Sequence, residues 1–405
     1  MFNALLLTAV LASSTGSHGH TDGCDCHHFT PQNQVEKLVL MAWKKADEIQ
    51  IDPTRQKDLD RDIALGKEYA KEVDKQLKAS KNEEMIKRVQ KIGAEMSGIA
   101  NSTQAEALWG DTRPSKFPYE FRVVEGEDVN AFSLPGGIIY VYEGLVKYVE
   151  SDDELAGVMG HEISHAAFRH VWALQRKSEK LQIAQILAVI VAAMTRSKDA
   201  TNVMQGVQLG AQSMISTWGV DAEKAADFGG FQYMLKSKYD PTGMITMMER
   251  LARDEKSRPS LDWGIYRTHP PSKERAQDLI ADMEERNLPI HRSAVTTSFR
   301  VQIKPGDAGT VEAWFSGHKL YTFAGTDALA RADASAEKLD AFFDKVPQMI
   351  EVTEGKGQVL YNFRPLLDIT PDDAANLKTS VQTLTEQTTK TIKGALFTLG
   401  YRIWG

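Results

Sequence analysis

Cysteine is nearly absent from this chain of 405 residues. It occurs only as Cys24 and Cys26, close to the start of the sequence. No internal disulfide can therefore hold the rest of the chain together, but a chain of this length can bury a sizeable apolar core, which we expect to be divided between two domains. A surplus of basic residues is also absent, since the net charge is −7. Nucleic acid is therefore disfavoured as a partner.

The sequence also lacks an apolar run long enough to cross a lipid bilayer. Its most apolar stretch, residues 181–194, has only about 14 residues, whereas a spanning helix needs roughly 20. We expect this stretch to form a buried core helix. The alternative is a hairpin in peripheral contact with a membrane, because residues 203–215 are rich in small residues and methionines suited to adaptable contacts.

The start of the chain is typical of an exported protein. Residues 2–12 form a short apolar core that small polar residues follow. We predict a signal peptide over residues 1–20, cleaved between Ala12 and His20, and a periplasmic or otherwise extracytoplasmic location. We predict a flexible segment at residues 21–34, which are rich in cysteine and histidine. This segment either binds metal, carries an attached lipid or is an incidental tail.

The pentapeptide HEISH, His161 to His165, carries the most chemical information. Residues four apart share one face of a helix, so both imidazoles can reach one metal ion while Glu162 lies beside the open coordination position. With ten histidines in the chain, the pattern can also arise by chance. The first hypothesis is metal-assisted hydrolysis of peptide bonds.

The sequence around the pentapeptide favours a helix. Ser151 and Glu154 have the spacing of a capping box. Apolar residues follow at helical spacing, namely Leu155, Val158, Met159, Ile163 and Ala166. Gly157 and Gly160 lower helix propensity by about 1 kcal/mol each relative to alanine, which is easier to explain if another backbone or a metal site approaches that face closely. The alternative is that packing alone explains them.

A pair of acidic residues repeats the same spacing downstream. Glu223 and Asp227 are four residues apart and would project from one face of a second helix. A catalytic zinc normally takes three protein ligands and keeps a fourth position for water. Glu223 can complete such a set, and Asp227 can accept the free ring N–H of a ligand histidine. The alternative is a solvated acidic face on a surface helix.

Four ordered segments together form a recognisable set. They are NAFSLPGGIIYV at residues 130–141, HEISH at 161–165, EKAAD at 223–227, and THPP at 268–271 with Arg275 following. This set resembles the zinc metallopeptidase family that includes the HtpX heat-shock proteases and the CAAX prenyl endopeptidases. The similarity covers approximately residues 55 to 290, and the chain looks most like the soluble exported branch of that family.

The resemblance implies a mainly helical, zincin-like α+β domain with a small β-sheet and one zinc ion per chain. His161 and His165 match the family's histidine ligands, Glu162 its general base, Glu223 its third ligand and Asp227 the carboxylate that supports a ligand. Zinc can lower the pKa of bound water from about 15.7 towards 7. Glu162 can accept the proton as hydroxide attacks the scissile carbonyl, and then pass it to the leaving amine.

The developing oxyanion needs a donor besides zinc, and His269 is our candidate. Its loop is stiffened by Pro270 and Pro271. Two alternatives are that His269 closes the resting site as a fourth zinc ligand, or that it only hydrogen-bonds a backbone carbonyl. Arg275 follows on a helix that Ser272 can cap, and it is either a buried ion-pair partner supporting the site or a substrate contact.

Substrate binding is assigned to a predicted strand pair. Residues 123–124 and 138–142 have strand character, with a Pro-Gly-Gly turn ahead of the second. A peptidase must hold an extended peptide, and an exposed strand edge can do so by adding the peptide as one more strand. Asn130 and Ala131 are our choice for that edge. The alternative is an ordinary core hairpin.

Further elements define the domain organisation. Apolar residues at helical spacing predict two amphipathic helices within residues 59–77 and 86–99, packed over the active-site helix. We place the metallopeptidase domain at residues 35–295 and a small α+β accessory module at 296–405. In the module, strands are predicted at 311–315, 319–323 and 358–363, and helices at 334–343 and 372–396.

The module contains no catalytic constellation of residues. A role in binding partners or recruiting substrates is a hypothesis that rests only on its position beside a peptidase. Unchanged turnover of every protein substrate after deletion of residues 296–405 would count against that hypothesis.

The favoured function is a zinc-dependent endopeptidase that acts on protein or peptide substrates in extracytoplasmic protein quality control. The competing function is a zinc-containing chaperone or adaptor with little proteolytic activity. The presence of Glu162 argues against that alternative, because binding alone does not require this carboxylate. Membrane-embedded processing of prenylated proteins is disfavoured, since no full-length span is evident.

Overall fold

Two amphipathic helices open the described part of the chain, as the apolar spacing predicts. The computed structural model describes residues 49–177, 183–187, 191, 209–257 and 273–404. Helix α1 covers Pro53–Gln76 and helix α2 covers Glu83–Ser102. Asp52 caps α1 through its side chain, which accepts hydrogen bonds from the backbone N–H groups of Thr54 and Arg55.

A small three-stranded sheet follows. Its strands are β1 (Glu120–Val124), β2 (Ala131–Leu134) and β3 (Ile138–Tyr142), in the order β1-β3-β2. β3 is parallel to β1 and antiparallel to β2. The predicted turn between β2 and β3 is confirmed, because Gly136 and Gly137 have φ values of 78° and 91°, which glycine adopts without strain. All five residues of β3 are buried.

Helices follow the sheet among the described residues up to Val295. They are α3 (Glu143–Tyr148), α4 (Asp152–Ala167), α5 (His170–Lys177), α6 (Leu209–Met234), α7 (Thr242–Ser257), α8 (Lys273–Glu285) and α9 (Arg292–Val295). Helix α4 carries the HEISH pentapeptide and lies at the centre, with α2, α6, α7 and β2 packed around it. Nearly every side chain of α4 is buried.

The start of α4 differs in one detail from the predicted capping box. The hydroxyl of Ser151 accepts a hydrogen bond from the N–H of Glu154, as expected. The carboxylate of Glu154, however, accepts from the N–H of Glu150 and from the guanidinium of Arg250. A basic residue on α7 has therefore drawn the carboxylate into a buried ion pair between helices.

The predicted close approach at the α4 glycines is confirmed. A Cβ atom built at Gly160 would lie 3.2 Å from the Cα of Gly230 on α6. In the other direction, a Cβ at Gly230 would lie 2.9 Å from the backbone nitrogen of His161. The two glycines let α6 approach α4 closely, which brings the acidic residues of α6 within reach of the histidines.

Residues beyond α9 form two further three-stranded antiparallel sheets with helices against them. Their strands are β4 (Gln302–Pro305), β5 (Val311–Phe315), β6 (His318–Phe323), β7 (Val352–Glu354), β8 (Gln358–Tyr361) and β9 (Arg364–Asp368). Their helices are α10 (Ala328–Phe343), α11 (Pro371–Asn376) and α12 (Val381–Trp404). The mainly helical α+β fold predicted from the sequence is confirmed.

Two predictions for this region were wrong in detail. Residues 372–396 do not form one helix, because α11 ends at Asn376, Lys378 has a φ of 53°, and Ser380 caps α12 through a bond from the N–H of Thr383. The strand predicted to run to residue 363 ends at Tyr361, because Asn362 and Phe363 form the turn into β9 with positive φ angles.

The C-terminal elements are joined to the helices before them by buried polar contacts. Arg292 on α9 forms a two-pronged ion pair with Glu249 on α7, and its guanidinium also donates to the backbone carbonyl of Asp344 at the end of α10. The side chain of Asp344 accepts from the N–H and the hydroxyl of Ser293. Ile49 to Gly405 thus belong to one compact unit.

The apolar run at residues 181–194 is described only in part. Residues 183–187 are helical, and Ile186, Leu187 and Val191 are buried, which agrees with the expectation of a core helix. Among the helices that the structure describes, none has both the length and the hydropathy required to cross a membrane. The predicted signal peptide and the cysteine- and histidine-rich segment lie outside the described residues.

Candidate metal centre

Three predicted residues from two helices meet at one point. His161 and His165 are one turn apart on α4, and their Nε2 atoms are 3.0 Å from each other. Glu223 on α6 places Oε2 3.3 Å from Nε2 of His161 and Oε1 3.3 Å from Nε2 of His165. The ligand atoms of all three lie within 4.8 Å of one another.

These distances and donor types suit a metal ion. Zinc binds imidazole nitrogen and carboxylate oxygen at about 2.0–2.2 Å, so neighbouring donors of a tetrahedral site are about 3.3 Å apart. The separations of 3.0 to 3.3 Å among His161, His165 and Glu223 match that value. Three side chains also leave one tetrahedral position for a water molecule or a substrate.

Asp227 and Arg275 support this cluster from behind. Oδ1 of Asp227 is 2.8 Å from Nδ1 of His161, so the carboxylate can accept that ring's N–H and leave Nε2 with a lone pair. Arg275 donates to Asp227 at 2.6 and 2.8 Å and pairs with Oε2 of Glu223 at 3.0 Å. Arg275 is 6% exposed, so the structure places it as a buried ion-pair partner.

The charges in the cluster attract a cation. Burial opposes a charge on His161, but the carboxylates of Glu223 and Asp227 outweigh burial and raise the pKa of His161 to about 10. Burial likewise opposes ionisation of Asp227, but Arg275 holds the pKa of Asp227 below its ordinary value. Three carboxyl groups, with Glu162 as the third, face one guanidinium. A divalent cation would balance the remaining charge.

Glu162 is adjacent to His161, and both residues line one pocket. The side chain of Glu162 is 1% exposed. The pocket also has several apolar lining residues. These apolar residues are Val158, Met244, Met247, Met248 and Leu251. A carboxyl group at the edge of an apolar pocket, next to candidate metal ligands, is well placed to exchange protons with a bound molecule.

One histidine of the site escaped the sequence interpretation. Nδ1 of His165 lies 2.8 Å from Nδ1 of His170, the first residue of α5. His170 is 2% exposed, and burial together with the neighbouring His165 lowers its pKa well below the ordinary value. The spacing of five residues from His165 does not suggest a shared helix face, so only the break between α4 and α5 reveals the contact.

The other predicted site residues are His269 and the pair Asn130 and Ala131. His269, together with its loop at residues 268–271, lies outside the described residues. Ala131 is the first residue of β2, the strand that packs on α4, and Asn130 directly precedes it; they are 1% and 2% exposed. The backbone oxygen of Asn130 accepts a hydrogen bond from the N–H of Tyr142 within the sheet.

A family match covers the part of the chain that carries this cluster of side chains. Residues 89–282 match the model of peptidase family M48, and they contain α4, α6 and all three candidate ligands. This part of the chain is therefore similar to the metallopeptidases of family M48. This match supports, at the level of the family, the relationship predicted from the four sequence segments.

Several curated relatives carry peptidase names. The chain is 26% identical over 262 residues to the beta-barrel assembly-enhancing protease of Escherichia coli K12, covering 64% of this chain and 52% of the relative. It is 29% identical to metalloprotease YcaL of that organism, over a segment that covers 69% of this chain and 97% of the relative. It is 32% identical to metalloprotease LoiP of the same strain, over a segment that covers 40% of this chain and 62% of the relative. The chain thus spans about half the length of the beta-barrel assembly-enhancing protease.

Proposed function

We propose that this protein is a zinc-dependent endopeptidase in which His161, His165 and Glu223 hold the metal. The observation that carries the proposal is the convergence of two imidazole nitrogens and one carboxylate across α4 and α6, at separations of 3.0 to 3.3 Å. The donor set of two histidines and one glutamate is one that catalytic zinc sites use, with a fourth position left open.

Glu162 acts as the general base in this proposal. Bound zinc would supply Lewis acidity, which makes water acidic enough to attack near neutral pH and polarises the scissile carbonyl. Glu162 removes the proton from the attacking water as the new C–O bond forms. It then delivers that proton to the amine nitrogen as the C–N bond breaks. Its position in the pocket beside His161 supports both transfers.

Asp227 and Arg275 position the ligands in this scheme. Asp227 holds His161 with its Nε2 lone pair towards the metal, since Oδ1 of Asp227 lies 2.8 Å from Nδ1 of His161. Arg275 orients both Asp227 and Glu223 through its planar guanidinium. His269 remains our candidate for the oxyanion donor, with the fourth-ligand and purely structural roles as the alternatives.

The start of β2 is our proposed peptide-binding edge. The backbone oxygen of Asn130 is bonded within the sheet. Because alternate residues of an antiparallel strand turn their backbone groups to opposite sides, the next residue, Ala131, turns its own away from β3. A peptide pairing there would lie beside α4, which supports the assignment. Since both residues are buried, neighbouring segments must move before a peptide can pair.

The substrates are protein or peptide chains in this proposal, and the cellular role is extracytoplasmic protein quality control after export. The names of the relatives support it: one is called a beta-barrel assembly-enhancing protease and others are called metalloproteases. We further propose that residues 296–405 form an accessory module that binds a partner or recruits substrate, following a metallopeptidase domain at residues 35–295.

A comparison of Glu162→Gln with the wild type tests the proposed activity. The full-length proteins are purified, their zinc content is measured, and cleavage of casein is followed together with self-cleavage. We expect the variant to keep its zinc and to lose at least about 100-fold in rate, since general-base catalysis contributes roughly 10² to 10⁴.

The matched control is Glu84→Gln, an exposed residue in the first turn of α2, which should cleave at the wild-type rate. Equal cleavage by Glu162→Gln and wild type, both with full zinc, would reject Glu162 as the base. Full zinc with no cleavage by the wild type would favour the chaperone or adaptor function.

A further inference from the structure

His165 contacts a second histidine on the side of its ring that faces away from the cluster. Its Nδ1 lies 2.8 Å from Nδ1 of His170, while its Nε2 faces His161 and Glu223. A hydrogen bond between two ring nitrogens requires a proton on one and a lone pair on the other. The direction of this bond therefore determines which tautomer His165 adopts.

The second nitrogen of His170 determines that direction. Nε2 of His170 lies 3.3 Å from the backbone oxygen of Trp109, and a carbonyl oxygen can only accept. Nε2 of His170 must carry the hydrogen, so in a neutral ring Nδ1 is the acceptor. His165 then donates from Nδ1 and turns the lone pair of Nε2 towards Glu223, which is the tautomer that a metal ligand needs.

The loop at residues 109–111 holds the His170 ring in this orientation. The rings of Trp109 and His170 have centroids 5.2 Å apart. Gly110 allows this packing, because a Cβ there would lie 2.9 Å from Cδ2 of His170 and 2.6 Å from the backbone oxygen of Phe168. The N–H of Asp111 donates to that same oxygen at 2.7 Å. The loop and the turn before His170 are thus fixed to each other.

A buried ion cluster fixes the turn itself. Arg169 has a φ of 52°, in the left-handed region that is unfavourable for a residue with a long side chain. Its guanidinium donates to Asp62 at 2.6 and 3.0 Å and to Asp111 at 3.1 Å. Arg55 on α1 also bonds Asp111, at 2.9 Å. These bonds stabilise the break between α4 and α5. At this break the chain turns so that His170 contacts His165.

We propose that His170 is a positioning residue of the metal centre, which sets the tautomer and ring orientation of His165 as a neutral hydrogen-bond acceptor. The proposal rests on the zinc site of the proposed function. His170 is for His165 what Asp227 is for His161, but it adds no charge. The three carboxyl groups and Arg275 already match a divalent ion, so a fourth carboxylate at this position would leave an excess negative charge.

Two substitutions distinguish the effect of the hydrogen-bond acceptor of His170 from the effect of its ring volume. His170→Phe keeps the ring volume and removes the acceptor, whereas His170→Asn offers an oxygen near the position of Nδ1. Zinc affinity of the full-length proteins is measured by competition with a chromophoric chelator, and the cobalt(II) absorption spectrum reports the ligand geometry. We expect His170→Phe to bind zinc about 10- to 100-fold more weakly, with an altered cobalt spectrum, and His170→Asn to remain within about threefold of wild type.

The outcomes distinguish this inference from the proposed function. His165→Ala is the reference, because it must lose zinc affinity if the zinc site exists at all. Wild-type affinity in His165→Ala would reject the zinc site and the inference with it. Loss in His165→Ala with wild-type affinity and cobalt spectrum in His170→Phe would overturn only the role of His170. Equal weakening in His170→Phe and His170→Asn would overturn it too, because acceptor chemistry would then not matter.

A measurement on the unaltered protein covers the case in which the Phe variant does not fold. Nitrogen-15 NMR of the histidine rings distinguishes the two neutral tautomers from the imidazolium form. In the zinc-loaded wild type we expect His170 to be neutral with its hydrogen on Nε2, and His165 to carry its hydrogen on Nδ1. A His170 hydrogen on Nδ1, or on both nitrogens, would overturn the inference.

Discussion

The guanidinium of Arg275 contacts both acidic residues of the cluster. It contacts Asp227 through two nitrogens and Glu223 through the third. Burial opposes the charge on Arg275, yet the two carboxylates keep its pKa above the ordinary value. A rigid, always charged fork suits this task better than the single point charge of a lysine.

Replacement of Arg275 should therefore weaken zinc binding even when charge is kept. We expect Arg275→Lys to lower zinc affinity about 10-fold or more, because Asp227 and Glu223 would lose their shared orientation. Arg275→Met should in addition destabilise the fold by about 3–5 kcal/mol, since it leaves buried carboxylates without their partner. Chelator competition and urea unfolding measure the two effects. Wild-type zinc affinity in Arg275→Lys would contradict the positioning role.

Local chemistry is also what the sequence predicts best. The HEISH helix, its Ser151 cap and the acidic pair on α6 depend on spacings of three or four residues, and each was visible in the sequence. The contact of His170 with His165 was not visible, because it depends on a helix break that Asp62 and Asp111 stabilise through Arg169. Those two partners lie 107 and 58 residues away from Arg169 along the chain.

At the scale of the elements, the site depends on how closely α4 and α6 approach each other. Glu223 lies two turns before Gly230 on α6, and Gly230 packs on the backbone of Gly160 and His161. Any atom inserted at this crossing would push the helices apart. The glutamate would then move away from the histidines, which belong to the other helix.

We expect Gly230→Ala to destabilise the protein and to weaken zinc binding. Its new Cβ would lie 2.9 Å from the backbone nitrogen of His161 and 3.0 Å from the backbone carbon of Gly160. Overpacking of this kind typically costs about 1–3 kcal/mol. Urea unfolding gives the free energy of unfolding, and zinc content gives the effect on the site.

Gly98→Ala on α2 is the matched control, because nothing lies within 4 Å of a Cβ there. It should be neutral or stabilise the protein by up to about 1 kcal/mol, since alanine has the higher helix propensity. Equal stability of the two variants would show that the crossing tolerates the extra atom.

Element boundaries near the C-terminus show where sequence patterns fail. The apolar spacing of residues 372–396 is helical throughout, yet the chain leaves the helix at Leu377 and starts again after Ser380. Asp373 binds Tyr321, Arg331 and the N–H of Ala324, which anchors α11 on the sheet. Tertiary contacts of this kind override local periodicity. Their partners are far apart along the chain, so a local sequence pattern does not reveal them.

At the scale of the whole molecule, a half-buried carboxyl group of the C-terminal elements makes stability depend on pH. Asp340 accepts a hydrogen bond from the N–H of Val301. Burial, with a contribution from the nearby Asp344, raises the pKa of Asp340 from 3.8 to about 6. The folded state therefore binds a proton more tightly there than the unfolded chain does, and stability falls as the pH rises from about 4 to about 6.

Asp340→Asn should remove this dependence while keeping the acceptor for Val301. We expect the variant to gain stability relative to wild type as the pH rises from about 4 to about 7, by about 1–2 kcal/mol once partial solvation is allowed for. Urea unfolding at a series of pH values measures the difference. A constant difference across this range would show that Asp340 titrates normally in the folded protein.

The buried pair of Arg292 and Glu249, with the Asp344 carbonyl on the same guanidinium, has a mechanical consequence. A joint made of buried charges does not bend freely, because opening it would expose or isolate them. The C-terminal elements therefore keep a fixed orientation relative to the helices before them. In the proposed function, a polypeptide captured by these elements would reach the pocket along a fixed path, and its cleavage sites would lie at a set distance from the point of capture.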